Sequence, residues 1–386
     1  MTQKQSRLRR FMSATIAMLI GTAVALLAVE VIVRIMYDEA VQPRFVIDSG
    51  HGIRMNQPNL ETRHYVPTDY DIRITTNSAG MRGQREYPRE RVAGTRRILI
   101  LGDSFTFGYG VEDDEVVSAV LEDRLNAAGD GHRYEVPNLS VSGFGQAEEL
   151  VTYREMGRPY DPDIVAIFYF ENDPGNNAVA NLFVVNDDGT VTRSETDYLP
   201  AVSLREKLYA IPPIRWLFEH SEAWNLIRNK LSWVVQQKLL KKEGLKKFDD
   251  GKNTRARDLT QALLRQFALD IRGDGAVPML VLIPGRRITS NVPFDNEELA
   301  ALGYVVVDGR DFLNVGDYFK VDAHWRPSGH AKAAEQMIEP VIQIYRDAEA
   351  PGPDSWGHPA PANAAGSASL TKPKNAGSPS PSPQKL

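Results

Sequence analysis

Residues 97–108 read Arg97-Ile98-Leu99-Ile100-Leu101-Gly102-Asp103-Ser104-Phe105-Thr106-Phe107-Gly108. A short apolar run closed by a glycine is the pattern of a strand buried on both faces of a parallel sheet. Such strands need crossover connections, and the flanking sequence supplies them. Residues 115–129 carry Val116, Val120, Leu121 and Leu125 at helical spacing and stop at Gly129. Residues 134–139 read as a second strand, 146–156 as a helix and 163–170 as a third strand. Further strands are expected at 277–283 and 304–307, and a last helix at 328–345. Strands alternating with helices predict βαβ units, hence an α/β domain with a mostly parallel sheet covered on both faces.

The chain has 386 residues, which fits one large α/β domain with appendages. Hydrophobic residues at 42% and charged residues at 25% exclude a wholly disordered chain. A net charge of −5 gives no reason to expect nucleic acid as a partner. The absence of cysteine excludes a disulfide framework, thiolate metal sites and a cysteine nucleophile.

Outside the α/β core the chain divides by composition. Residues 1–10 carry Lys4, Arg7, Arg9 and Arg10 and no acid, and 11–29 are 19 residues without a charge. The apolar run resumes at Val31 after Glu30, so 11–36 is expected to be a transmembrane anchor, with its basic flank cytoplasmic and the rest outside. That places the protein in the inner membrane with an extracytoplasmic domain. The alternative is a cleaved signal peptide, with Ala23-Val24-Ala25 as the processing site and a mature chain beginning near Leu26.

Residues 37–95 read as a stalk with an edge strand or two, the clearest being the alternating stretch Tyr70-Asp-Ile-Arg-Ile-Thr. Residues 96–349 are the main domain, interrupted by an insertion at 180–255. The insertion starts with a hairpin pattern around Asp188-Gly189. It continues with a helical segment, 204–247, that carries Trp216, Trp224, Trp233 and the lysines Lys238, Lys241, Lys242, Lys246 and Lys247. Three roles fit that segment: packing its aromatics on the domain, covering the site, or leaning on anionic lipid. Residues 350–386, rich in Pro, Ala, Ser and Gly, are expected to be a disordered tail.

Sites in parallel sheets form beyond the carboxyl ends of the strands. Polar clusters fall at three such ends: Gly102-Asp103-Ser104, the stretch from Asn138 to Gly143, and Asn172-Asp173. A fourth, Asp322-Ala-His324-Trp-Arg-Pro-Ser-Gly-His330, precedes the last helix. Together they compose an acyl-transfer site. Ser104 is the candidate nucleophile, His324 the base that takes its proton, and Asp322 the group that orients the imidazole. The backbone N–H groups of Ser104 and Gly143 and the side-chain amide of Asn172 are candidate oxyanion donors. His330 is expected to pack at the helix start. The two histidines are six positions apart and no His-Glu-x-x-His occurs, so no metal site is expected.

On these residues the chain resembles the SGNH/GDSL hydrolases over roughly residues 70–347. The first block is similar to Ile100-Leu-Gly-Asp-Ser-Phe-Thr-Phe-Gly108, the second to the stretch around Gly143, the third to Asn172, and the last to Asp322 and His324. Asn77-Ser-Ala-Gly-Met-Arg82 resembles a lead-in of membrane-associated members. Two positions depart from the pattern. Phe170 stands where the third block has glycine, and the acid and base are spaced Asp-x-His, a form similar to polysaccharide O-acetyltransferase relatives.

The resemblance implies a flavodoxin-like three-layer α/β/α domain with no metal or organic cofactor. It also implies ester chemistry on acyl groups of sugars, lipids or similar substrates; with the anchor, this points to a serine esterase that removes O-acyl groups, O-acetyl foremost, from an envelope or exported glycan, or acts on a small ester. One alternative is an O-acyltransferase that hands the acyl group to a sugar hydroxyl. The other is a non-catalytic scaffold of a polysaccharide export assembly.

Overall fold

The computed structural model describes residues 3–36, 45–66, 68–194, 207–224, 226–228, 230–231, 234, 254–289, 292 and 294–349. The expected disordered tail, Trp233 and the lysine run from Lys238 to Lys247 lie outside these residues.

In chain order the strands are β1 (Val46–Asp48), β2 (Arg54–Asn56), β3 (Glu61–Val66), β4 (Tyr70–Thr75), β5 (Thr95–Leu101), β6 (Arg133–Glu135), β7 (Ile164–Phe170), β8 (Phe183–Val185), β9 (Val191–Arg193), β10 (Val277–Ile283) and β11 (Val305–Asp308). The helices are α1 (Gln3–Met36), α2 (Ser104–Phe107), α3 (Val117–Ala127), α4 (Gln146–Thr152), α5 (Asp173–Ala180), α6 (Pro212–His220), α7 (Thr254–Gly273), α8 (Asn296–Ala301) and α9 (Pro327–Glu349).

Five strands form one sheet in the order β11-β10-β7-β5-β6, and every pairing in it is parallel. Counting only these five along the chain, the order is 2-1-3-4-5, the flavodoxin-like doubly wound arrangement. Alternation along β5 sends Leu99 and Leu101 to one face and Ile98 and Ile100 to the other. The first pair joins a core with Leu150, Leu263, Phe267 and Ile271 from α4 and α7. The second pair joins Val117, Leu121, Ala333 and Met337 from α3 and α9. The result is an α/β/α sandwich in which every residue of β5 is buried.

Several boundaries differ from the sequence reading for local reasons. The second strand pairs as a ladder only over Arg133–Glu135, because Pro137 has no N–H to give. The chain still follows β5 beyond it, with Ile100 N donating to Pro137 O at 2.9 Å and Leu139 N to Ile100 O at 3.0 Å. The helix begun at Gln146 slips into a π turn, Tyr153–Gly157, ahead of Pro159. The hairpin around Asp188-Gly189 forms as β8 and β9, antiparallel.

The stalk expectation needs correction. Residues 45–66 and 68–95 fold onto the sandwich as two antiparallel hairpins, β1–β2 and β3–β4, that are separate from the main sheet rather than its edge. Ile53, Ile74 and Met81 are buried there. Arg82, also buried, donates to the carbonyls of Phe107 (3.0 Å), Gly108 (3.0 Å) and Val111 (2.8 Å), and to Asp113 (2.7 Å). The Asn77–Arg82 stretch thus clamps the loop that follows α2. Asn77 Oδ1 closes its own turn by accepting from Ala79 N and Met81 N, both at 2.9 Å.

At the N-terminus, α1 contains a 26-residue stretch, Phe11–Met36, long and apolar enough to cross a membrane, with mean hydropathy 2.6.

Candidate active site

Ser104 opens α2 directly beyond the carboxyl end of β5. Asp103 caps that helix, its Oδ1 accepting from Phe105 N at 2.9 Å. Gly102 is required by close approach, since a Cβ there would run into Thr106 and lie 3.0 Å from Phe168 Cβ. The turn therefore presents the serine hydroxyl at the rim of the sheet. Burial pushes the Asp103 carboxyl up to about 6, against the pull of the nearby His324.

The loop before α9 brings the other two residues to it. His324 Nε2 lies 2.8 Å from Ser104 Oγ, and His324 Nδ1 lies 2.7 Å from Asp322 Oδ2. An ionised Asp322 accepts a hydrogen bond from Nδ1–H, which leaves Nε2 to accept from the serine hydroxyl. Burial raises the Asp322 pKa, but the hydrogen bond and charge of His324, with the Tyr70 hydrogen bond, outweigh it and hold the carboxyl below its ordinary value. The imidazole is flanked by the rings of Phe105 (centroids 4.8 Å) and Tyr109 (5.3 Å). Its side chain keeps 17% exposure and that of Asp322 21%, so the pair is open to a small reactant at one side.

The short Asp-x-His spacing has a visible backbone cost. Ala323, between acid and base, has φ +64°, in the left-handed region that a non-glycine residue enters at about 1–2 kcal/mol. The β3–β4 turn holds this segment in place. Asp69 accepts from the N–H groups of Val321 and Asp322 at 2.8 Å each and of Lys320 at 3.3 Å. Tyr70 donates to Asp322 Oδ2 at 2.9 Å, and His64 Nε2 lies 3.3 Å from the Tyr70 oxygen. Burial pulls the His64 pKa down to about 4, so it stays neutral beside the acid at pH 7.

The sequence reading missed Asp69, Tyr70 and His64. Tyr70 sits in a stretch recognised as a strand, but nothing local ties it to a residue 252 positions away.

Tyr70→Phe tests that support. A hydrogen bond to a charged group is worth about 1.5–3 kcal/mol. If Tyr70 positions and acidifies Asp322, kcat should fall about tenfold or more with KM unchanged. Without the hydrogen bond Asp322 becomes more basic, so the acid limb of the pH profile should move to higher pH. An unmoved limb with a changed melting temperature would reduce Tyr70 to packing.

The candidate oxyanion donors fall at neighbouring strand ends. Gly143 has φ +74°, a conformation glycine adopts freely, and its carbonyl accepts from Arg54 Nη2 at 3.1 Å. Among the described residues neither the Ser104 N–H nor the Gly143 N–H has an acceptor. Asn172 immediately precedes α5 beyond β7, and its Oδ1 is buried without a partner. His330 packs as expected: fully buried, it takes Val117 N on Nδ1 at 3.2 Å, and burial lowers its pKa to about 3. Among the described residues no group of three or more metal-ligating side chains occurs.

No family model matches the chain, and no curated protein does. Solved structures do resemble it. TesA is 16% identical, covering 64% of this chain and 98% of its own, with TM-score 0.39. A G-D-S-L family lipolytic protein from Desulfitobacterium hafniense DCB-2 is 12% identical over 63% of this chain and 98% of its own, TM-score 0.34. Axe2, an acetylxylan esterase from Geobacillus stearothermophilus, is 15% identical over 64% of this chain and 94% of its own, TM-score 0.37. Likeness this distant carries neither activity nor substrate to this chain.

Proposed function

We propose that this chain is a membrane-anchored, extracytoplasmic serine esterase of the SGNH/GDSL type that removes O-acyl, chiefly O-acetyl, groups from an envelope or exported glycan. The observation that carries the reading is the continuous relay from Ser104 Oγ through His324 to Asp322, with links of 2.8 and 2.7 Å. In the first half-reaction the Ser104 proton passes to His324 Nε2 while Oγ bonds to the acyl carbon. The carbonyl electron pair moves to oxygen, where the N–H groups of Ser104 and Gly143 and the Asn172 amide donate. The oxyanion then collapses, the ester bond breaks, and His324 returns the proton to the departing alcohol. In the second half water takes the alcohol's place, and the carboxylic acid leaves with the serine restored.

The glycan substrate and the location rest on the sequence. The basic flank Lys4, Arg7, Arg9 and Arg10 favours a cytoplasmic N-terminus, which leaves the catalytic domain on the outer side of the inner membrane. The glycan substrate follows from that placement together with the resemblance to the SGNH/GDSL hydrolases.

Incubating the full-length protein with an acetyl-ester chromogen, with and without an oligosaccharide acceptor, tests the reading. Acetate should be released without acceptor, and added oligosaccharide should not divert most of the acyl group. Predominantly acetylated oligosaccharide with little free acetate would overturn hydrolysis in favour of acyl transfer. No turnover under either condition would favour the scaffold.

Asn172→Ala should lower kcat about 10²–10³-fold, since two backbone donors remain. Steady-state kinetics with unchanged kcat and only a raised KM would place Asn172 in substrate binding or turn structure instead.

A further inference from the structure

The uncharged run 11–29 is about 28 Å long as a helix, close to the roughly 30 Å of a bilayer's hydrocarbon layer. Glu30 and Arg34, paired with each other at 2.8 Å, stand where α1 leaves that layer. Both reach the insertion. Glu30 accepts from Ser221 Oγ (2.8 Å), Glu222 N (2.9 Å) and Ala223 N (3.2 Å). Arg34 Nη2 donates to His220 O at 2.7 Å.

α6 ends at His220, and the described residues from Glu222 to Val234 are helical. The side chains of α1 thus satisfy the free carbonyl of one helix end and the free N–H groups of the next. The insertion is fixed to α1 at the level of the membrane surface.

An apolar stripe follows in the chain. Ile227, Leu231 and Val234, at helical spacing i, i+4, i+7, share one face and are 58%, 60% and 38% exposed. On α6, Trp216 is 58% exposed. The ring contacts within the segment are Tyr209 with Phe218 (6.0 Å), Phe218 with Trp224 (5.7 Å) and Trp216 stacked on His220 (5.3 Å), so among the described residues no ring covers Ile227, Leu231 or Val234. Residues 204–247 also hold ten Lys or Arg against four Glu in sequence, of which Lys207, Arg215, Arg228 and Lys230 are among the described residues, in a chain whose net charge is −5. An exposed apolar stripe with basic flanks, beginning where a membrane span ends, has the chemistry of an interfacial helix.

We propose that the insertion lies in the headgroup layer of the bilayer that α1 crosses, its apolar stripe toward the acyl chains and its basic side chains on anionic headgroups. The domain is then tied to the membrane at a second point besides the anchor. This rests on the reading that α1 spans a membrane, and the test separates the two. The chain has no cysteine, so single-cysteine variants of the full-length protein take one nitroxide each. The sites are Leu231→Cys and Ile227→Cys on the stripe, Val24→Cys on α1 and Val92→Cys on the domain, both of the latter exposed. In nanodiscs containing phosphatidylglycerol, collision with oxygen is compared with collision with a water-soluble nickel chelate.

Labels at 231 and 227 should be protected from nickel several-fold relative to 92 and should resemble 24. Protection should weaken in nanodiscs of phosphatidylcholine alone. Nickel access at 231 and 227 equal to that at 92, with 24 protected, would overturn the interfacial placement while leaving the anchor standing. Nickel access at 24 would overturn the anchor and the placement together. Protection unchanged in phosphatidylcholine would overturn the role given to the basic side chains.

Discussion

Ser104→Ala should abolish acyl-ester turnover while leaving the protein folded. Ser104 is the one hydroxyl within hydrogen-bond reach of His324 Nε2 among the described residues, at 2.8 Å. Without its oxygen no acyl-enzyme can form, and the remaining groups can only bind and polarise the ester. Removing a serine from such a relay costs roughly 10⁶-fold in kcat where the loss has been dissected. Ser104 is only half-buried, at the rim of the sheet, so circular dichroism and melting temperature should not change. Retention of even a tenth of the wild-type rate in a clean preparation would remove Ser104 from the reaction.

Asp322→Asn should be the next largest loss, about 10⁴-fold in kcat with little change in KM. The amide keeps the shape of the carboxylate but presents a donor where His324 Nδ1–H needs an acceptor. The imidazole then holds its proton on the wrong nitrogen, and Nε2 can no longer accept from Ser104. Tyr70 and the Asp69 clamp on the N–H groups of residues 320–322 remain to keep the loop in place, so the effect is chemical rather than structural. A fall of less than tenfold would mean that His324 is oriented by its ring neighbours Phe105 and Tyr109, with Asp322 secondary.

The layers were legible in the sequence wherever burial is two-sided. β7 and β10, and β5 from Ile98 onward, are continuous apolar runs because helices cover both faces, and such runs survive as a pattern without any knowledge of their neighbours. The candidate site was legible because Ser104, Asn172, Asp322 and His324 sit at strand and helix ends, where Gly102, Pro174 and the Pro327 helix start punctuate the chain. The N-terminal hairpins were not, because their strands are half-exposed and their polar residues look like those of a stalk. What makes them part of the site is contact across the chain: Tyr70 with Asp322, Arg82 with the loop after α2, Arg54 with Gly143. No local periodicity encodes such pairings. The left-handed Ala323 was hidden for another reason. The shortened acid-to-base spacing is visible in the sequence, but only the fold shows that the chain closes the gap by bending rather than by giving up the acid.

The 20-residue helix α7 is the largest element the sequence reading left unassigned. Asp250-Gly251 and Asn253, directly ahead of Thr254, are turn and cap signals that would have placed its start, but the lysine-rich stretch before them drew it into the insertion. Its apolar residues Leu263, Phe267 and Ile271 nonetheless form a regular inward stripe at i, i+4 and i+8.

Covalent trapping tests the central claim most directly. A fluorophosphonate reacts only with a serine whose hydroxyl is activated by a base and whose developing oxyanion is stabilised. Peptide mass spectrometry of the labelled full-length protein should find one adduct, on the peptide containing Ser104, and none in His324→Ala or Ser104→Ala. An unlabelled wild-type protein, or an adduct that persists on another residue in those variants, would contradict a Ser104–His324–Asp322 esterase.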